Sequence, residues 1–200
     1  MINLNDLKNA TPSVFATSAS PKMSDRYVFV PTLDILENFE REGWQLASAK
    51  QVGRGLHSVH ELRLRNGELP KVGDTLVEAI IRNSHNGMAT FRVSAGLHRL
   101  VCSNGLVIST QDFAQARLRH SGYSFEHLKS VVMEMVEKIP DTIKTLNSLT
   151  EVQLTEEQKM DFAMKAIGIR FEKGNAEVLP QELLIPMREQ DKGSDLWSVF

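Results

Sequence analysis

Three stretches in the middle of the chain alternate in character with a period of two, and this constrains the fold more than any other feature. "HSVHELRLR" sets Ser58, His60, Leu62 and Leu64 on one side and His57, Val59, Glu61, Arg63 and Arg65 on the other. In "TLVEAIIRN", Val77, Ala79 and Ile81 oppose Leu76, Glu78, Ile80 and Arg82. In "MATFRVSAG", Ala89, Phe91, Val93 and Ala95 oppose Thr90, Arg92 and Ser94. A side-chain period of two is that of a strand with two unlike faces. Asn66–Gly67 breaks the first stretch, and Asn86–Gly87 between the other two suits a hairpin. The expectation is an antiparallel sheet with one apolar face and one arginine-lined face.

The flanks change period. "VPTLDILENFEREGW" predicts a helix, with Thr32 as its cap, Asp34 and Glu37 in its first turns and Gly43 at its end. Before it, residues 10–26 are small and polar, so residues 1–26 are expected to form an arm or loop. After residue 120, "SFEHLKSVVMEMVEKI" places Phe125, Leu128, Val132, Met135 and Ile139 on one helical stripe, and Pro140 ends or kinks that helix. "TEEQKMDFAMKAIG" predicts a further helix, with a capping box of Thr155 and Gln158 and a stop at Gly168. Short helices are expected in the tail. The fold class is therefore α+β: a core over residues 1–120 that carries the sheet, and a helical C-terminal part of the same domain over residues 121–200.

Composition narrows the function classes. The chain has 200 residues, 42% of them hydrophobic and 24% charged, which is ordinary for a globular protein. No apolar run approaches the roughly 18 residues of a membrane span, so no membrane association is expected. The N-terminus lacks a signal peptide's apolar core, and a lone cysteine fits a reducing cytoplasm. The net charge of −2 is unevenly spread: residues 51–120 carry nine basic against five acidic side chains, and residues 121–200 nine against fourteen. A basic middle and an acidic end suggest two surfaces with different partners.

The chain's only cysteine stands in "GLHRLVCSNGLVI", where His98, Cys102 and Asn104 are the parts of a thiol-nucleophile site. A helical segment would bring His98 and Cys102 onto one side. Leu97, Leu100 and Val101 around them favour a buried cysteine instead, with Asn104–Gly105 as a turn and "LVI" as a returning strand. His57 and His60 point to opposite strand faces, His85 falls in a turn, and His85 with His98 lacks a third ligand. No metal, no cofactor and no catalytic residue is expected, and the chain is not read as an enzyme.

The arginines carry the more useful signal. Lys50, Arg54, Arg63, Arg65, Arg82, Arg92 and Arg99 lie in a short span, several on one strand face, and clustered arginines suit phosphate contacts. The plainer alternative is a solvated polar face on which Glu61, Glu78 and Thr90 are cross-strand partners.

An ordered set of motifs adds a resemblance. "SDRYVFVPT", Gly43–Trp44, "NSHNG", "GLHRLVCSNGLV" and "DLWSVF" together resemble the plasmid- and phage-borne family called domain of unknown function 932. Its members typically run on past the "DLW" segment. The resemblance implies a mobile-element setting, among anti-restriction and DNA-maintenance functions, and brings no catalytic residue with it. The order of helix, basic-faced sheet and long helix is similar, more loosely, to the core of single-strand annealing recombinases. The functional expectation is a cytoplasmic protein that binds single-stranded DNA through its arginine face and anneals it as a homo-oligomer. The alternative is a protein-binding antagonist of a host defence or restriction system, partnered by a host protein and without DNA affinity.

Overall fold

The computed structural model describes residues 4–72, 75–99, 106–107, 115–118, 120, 125–171, 177–186, 189 and 192–199. The chain divides into two compact units, Met1–Ile143 and Lys144–Phe200.

The first unit is built on the expected antiparallel sheet, so the α+β class holds. Strands β1 (Trp44–Val52), β2 (Val59–Asn66), β3 (Thr75–Asn83) and β4 (Phe91–Arg99) are neighbours in chain order. Two short strands pair with the far edge of β4: β5 (Leu106–Val107) with Gly96 and Leu97, and β6 (Gln115–Leu118) with Phe91 to Ser94. Period-two alternation survives intact in β2, where His60, Leu62 and Leu64 are buried. One face of the sheet stacks Leu46, Leu62, Leu64, Val77, Ala79, Ile81 and Val93 in register. Helix α2 (Thr32–Arg41) buries Ile35, Leu36 and Phe39, and the Phe39 ring meets Trp44 edge-on at 5.9 Å. Gly43, at φ +81°, turns the chain from α2 into β1, a conformation that glycine alone adopts without strain.

The opposite face is less open than the sequence implies. β3 also buries Glu78 and Ile80, and β4 buries Ser94 on the same side. A single-faced alternation in β3 therefore fails, because the central strand of this sheet is enclosed on both sides.

β1 contains an irregularity that sets its faces. Leu46 lies opposite Leu64, but Ser48 lies opposite Arg63, so Ala47 is an extra residue in the ladder. Such a bulge shifts the alternation by one. Leu46, Ala49 and Gln51 then share the apolar side, while Ser48 and Lys50 join the arginine side.

The N-terminal stretch is the expected arm or loop only over residues 16–26, which form neither helix nor strand. Helix α1 (Leu4–Ala10) and a 3₁₀ turn (Pro12–Phe15) bury Leu7, Thr11, Ser13 and Val14. Ser13 is bonded to Gln51 and His60, whereas Thr11 Oγ1 is buried without a partner. Helix α3 (Phe125–Glu137) runs beside β6 and β4. It stops before Pro140, which opens helix α4 (Ile139–Glu151). Among the described residues no helix is long and apolar enough to cross a membrane.

In the second unit, helix α5 (Glu156–Arg170) begins at the predicted capping box: Thr155 Oγ1 accepts from Gln158 N at 3.2 Å, and Gln158 Oε1 accepts from Thr155 N at 2.8 Å. Gly168 does not stop this helix, which continues to Arg170 and ends at Phe171 in an extended conformation. A glycine inside a helix costs only about 1 kcal/mol, so the helix runs two residues past it. Short helices α6 (Pro180–Leu183) and α7 (Leu196–Val199) follow. Asp195 caps α7 by accepting from Ser198 N at 3.0 Å.

Phe39→Ala should lower the stability of the first unit by about 3–5 kcal/mol, the cost of emptying a buried aromatic site. The measurement is the urea midpoint of the full chain followed by Trp44 fluorescence.

Candidate nucleic-acid interface and the histidine network beneath it

Strand register decides which basic residues can act together. Residues directly opposite one another across an antiparallel sheet point to the same face. Lys50 lies opposite Glu61, Glu61 opposite Arg82, Arg82 opposite Arg92 and Arg92 opposite Arg117. This row crosses β1, β2, β3, β4 and β6, a run of about 19 Å at roughly 4.8 Å per strand. Lys50 and Arg82 are exposed and Arg92 is half-buried, with its Nε enclosed and lacking a hydrogen-bond partner. Among the described residues neither Arg82 nor Arg92 forms an ion pair. Arg82 and Arg92 face one another as like charges, which repel, while Glu61 lies between Lys50 and Arg82.

Arg63 and Arg65 stand on the same face but are otherwise engaged. Arg63 Nη1 meets Glu78 Oε2 at 3.2 Å, Arg65 Nε meets Glu78 Oε1 at 2.7 Å, and Arg63 Nε meets Glu61 Oε1 at 3.2 Å. The Glu78 carboxylate is 0% exposed. A charge so deeply buried must be neutralised in place, so this pair of arginines serves the sheet. The cross-strand alternative raised for Glu61 and Glu78 applies here.

Arg54 is exposed in the β1–β2 loop, near the Lys50 end of the row. Arg99 is placed elsewhere: its register partner is Thr75, in the row series of Val77/Leu97 and Ala79/Ala95. The expected common face therefore excludes Arg99. The register also extends it, since Arg117 was not among the seven residues expected there. Its alternation with Ala116 and Leu118 is too short to signal a strand.

The same end of the sheet covers a buried polar network. The sequence sets His57 and His60 on opposite strand faces and gives no site for His85, whose pairing with His98 lacks a third ligand; the structure brings His60 and His85 together, ring centroids 5.2 Å apart. Thr32 does not cap α2, since its hydroxyl is drawn to His60 Nε2 at 2.9 Å and accepts from Asn83 Nδ2 at 2.9 Å. The other side of the ring, Nδ1, faces Ser13 Oγ at 2.9 Å and Ser58 O at 3.0 Å. Ser13 Oγ in turn donates to Gln51 Oε1 at 2.6 Å, and Gln51 Nε2 donates to the carbonyls of Gly53 and Gly55. These bonds fit one proton order, with His60 neutral and protonated on Nδ1. His85 Nε2 donates to Ser13 O at 3.0 Å, and His120 Nδ1 to Val28 O at 3.0 Å. The His120 ring stacks on Tyr27 at 4.6 Å.

Burial sets the protonation of this cluster. It pushes His60 down to about 4, against a smaller opposing effect of the Ser58 carbonyl. Burial pushes His85 down to about 3, helped by the neighbouring His60. His120 is lowered as well, again mainly by burial. Neutral imidazoles with one satisfied N–H each can serve as structural links. Among the described residues no group of three His, Cys, Asp or Glu is placed to hold a metal ion.

The stretch that held the cysteine is only partly described. Gly96 to Arg99 are strand rather than the helix considered for this stretch. Leu106–Val107 returns antiparallel to them, as expected. Cys102 and Asn104 lie outside the described residues.

The motifs that suggested a relationship meet around this network: Tyr27 and Thr32 come from one, Asn83, Ser84 and His85 from another. A family model, "Domain of unknown function (DUF932)", matches residues 21–200. The chain belongs to that family. It is similar to the UPF0380 protein YafZ of Escherichia coli strain K12, at 30% identity over 201 residues. It is also similar to the UPF0380 protein YfjQ of the same organism, at 29% identity over 201 residues. In each case the match covers 98% of this chain and 72% of the relative. No solved structure matches the chain.

The buried histidines fix a pH dependence. An unfolded chain takes up protons on histidine as pH falls through about 6.5, while the folded chain resists until about 4 at His60 and about 3 at His85. Stability is full above about pH 6.5 and is lost as pH falls below it, by at most about 1.4 kcal/mol per pH unit for each histidine. Urea midpoints should be level from about pH 7.5 to about 6.5 and fall from there to about pH 4. His85→Gln should show a shallower slope whatever its absolute stability.

Proposed function

We propose that this chain binds single-stranded DNA along the row of Lys50, Arg82 and Arg92, extended by Arg54 and by Arg117. The observation that carries the reading is the pairing of Arg82 with Arg92 and of Arg92 with Arg117 on three neighbouring strands. Arg82 and Arg92, opposite one another and without an ion pair among the described residues, suit a phosphate backbone, and each contact displaces a counterion. Arg63 and Arg65 leave the proposed contact set because Glu78 holds them. Arg99 leaves it because its register differs. The row reads no base edges, so the binding is general with respect to sequence. A mobile-element setting and annealing by a homo-oligomer complete the reading, as the likeness to single-strand annealing recombinases implies.

A protein partner is the second reading. It is favoured by Ile169, 89% exposed on α5, in a region with an acidic surplus.

Arg82→Ala combined with Arg92→Ala should weaken binding to a single-stranded oligonucleotide. The slope of log affinity against log salt should shrink by about 1.4, near 0.7 per lost phosphate contact. Arg63→Ala should lower stability instead and leave the slope unchanged. Fluorescence anisotropy across a salt series reads both, and absence of binding by the unaltered chain at low salt would falsify the proposal.

A further inference from the structure

The sheet end that carries the cation row also presents exposed apolar side chains. β1 and β3 finish at this end, and β2 and β4 begin there, so the loops of residues 53–58 and 84–90 lie side by side. Val52 is 74% exposed, Leu56 56% and Met88 78%. Among the described residues of the first unit, only Leu4 joins these three as an exposed large hydrophobic. Exposed apolar side chains scattered singly need no explanation, but a group bordering a row of cations calls for one. Val52 is also two residues from Lys50 on the same face of β1.

These tips are held rather than trailing. Gln51 Nε2 ties the Gly53 and Gly55 carbonyls, and Gly55 N donates to Ser58 Oγ at 3.1 Å. In the second loop Ser84 Oγ donates to Ala89 O at 3.0 Å and accepts from Ala89 N at 2.9 Å. Asn86 Oδ1 accepts from Met88 N at 3.1 Å, and Gly87 adopts φ +75°. A backbone bond from His85 N to His57 O, 3.1 Å, joins the two loops. Preorganised contacts lose less entropy when a ligand arrives.

We infer that Leu56 and Met88, with Val52, contact the faces of unpaired bases of a strand whose phosphates follow Lys50, Arg82 and Arg92. This rests on the nucleic-acid reading above and adds a base-contacting element to it. Cations alone would hold any polyanion. A fixed apolar edge beside them selects a polyanion that carries flat apolar groups on its open side, which a single strand does and a duplex does not. Aliphatic contact with base faces is indifferent to sequence, as stacking is.

The test compares an oligothymidylate with an abasic strand of equal length, at one salt concentration. The unaltered chain should bind the oligothymidylate about tenfold more tightly, within the range found for base-contacting side chains. Leu56→Ser with Met88→Ser should bind both strands alike, with its salt slope and urea midpoint unchanged, since both positions are exposed. Equal affinity of the unaltered chain for the two strands overturns the inference while the phosphate row stands. Binding to neither strand overturns both. Base-independent strand binding with capture by phosphatidylserine vesicles, lost in the double variant, assigns the edge to a membrane surface and likewise overturns the inference.

Discussion

His60 is the residue through which the N-terminal segment, the first long helix and the sheet are tied together. Its ring is reached by Ser13 from the 3₁₀ turn, by Thr32 from α2 and by the Ser58 carbonyl from its own strand. Around it most polar groups find a partner, as a buried polar cluster requires if it is to stabilise a fold, while His85 Nδ1, His120 Nε2 and Thr11 Oγ1 are buried without one. The cluster also limits where the chain can differ. Thr32, Asn83 and His60 form one directed sequence of donors and acceptors, so changing one leaves another buried and unpaired.

The two charged systems of the sheet have opposite logics. On Arg63, Arg65 and Glu78, opposite charges meet in a buried place and the arginines are consumed by the structure. On Lys50, Arg82 and Arg92, like charges align near solvent with no carboxylate interposed except Glu61, which is turned toward Arg63. Both systems look alike as a list of arginines. They separate only when register and burial are known, because a glutamate two positions along a neighbouring strand decides whether an arginine is occupied.

Much of the sheet was legible in the sequence, since period-two alternation is imposed residue by residue and needs no distant information. β2 kept both of its predicted faces, and the Thr155–Gln158 capping box is a local motif that formed as written. Thr32 was misread because capping is judged from adjacent residues, whereas its partners His60 and Asn83 lie 28 and 51 residues away. The helix and 3₁₀ turn of residues 4–15 were not legible for the same reason: small polar residues signal a loop unless their hydrogen-bond partners are known. The His60–His85 approach had a visible trace in the polar His60 placed among Leu62 and Leu64. Its cause, the packing of two hairpin loops against one another, had none.

The extra residue at Ala47 links the surface to the interior. With an unbroken ladder, Lys50 would continue the side of Leu46 and Gln51 would turn outward. The single inserted residue exchanges them, bringing a cation out to the row and an amide in to Ser13. One added peptide unit thus sets two properties at once: the charge the sheet offers outside and the partner the buried network receives. Removing that one residue from β1 would turn Lys50 inward and Gln51 outward together.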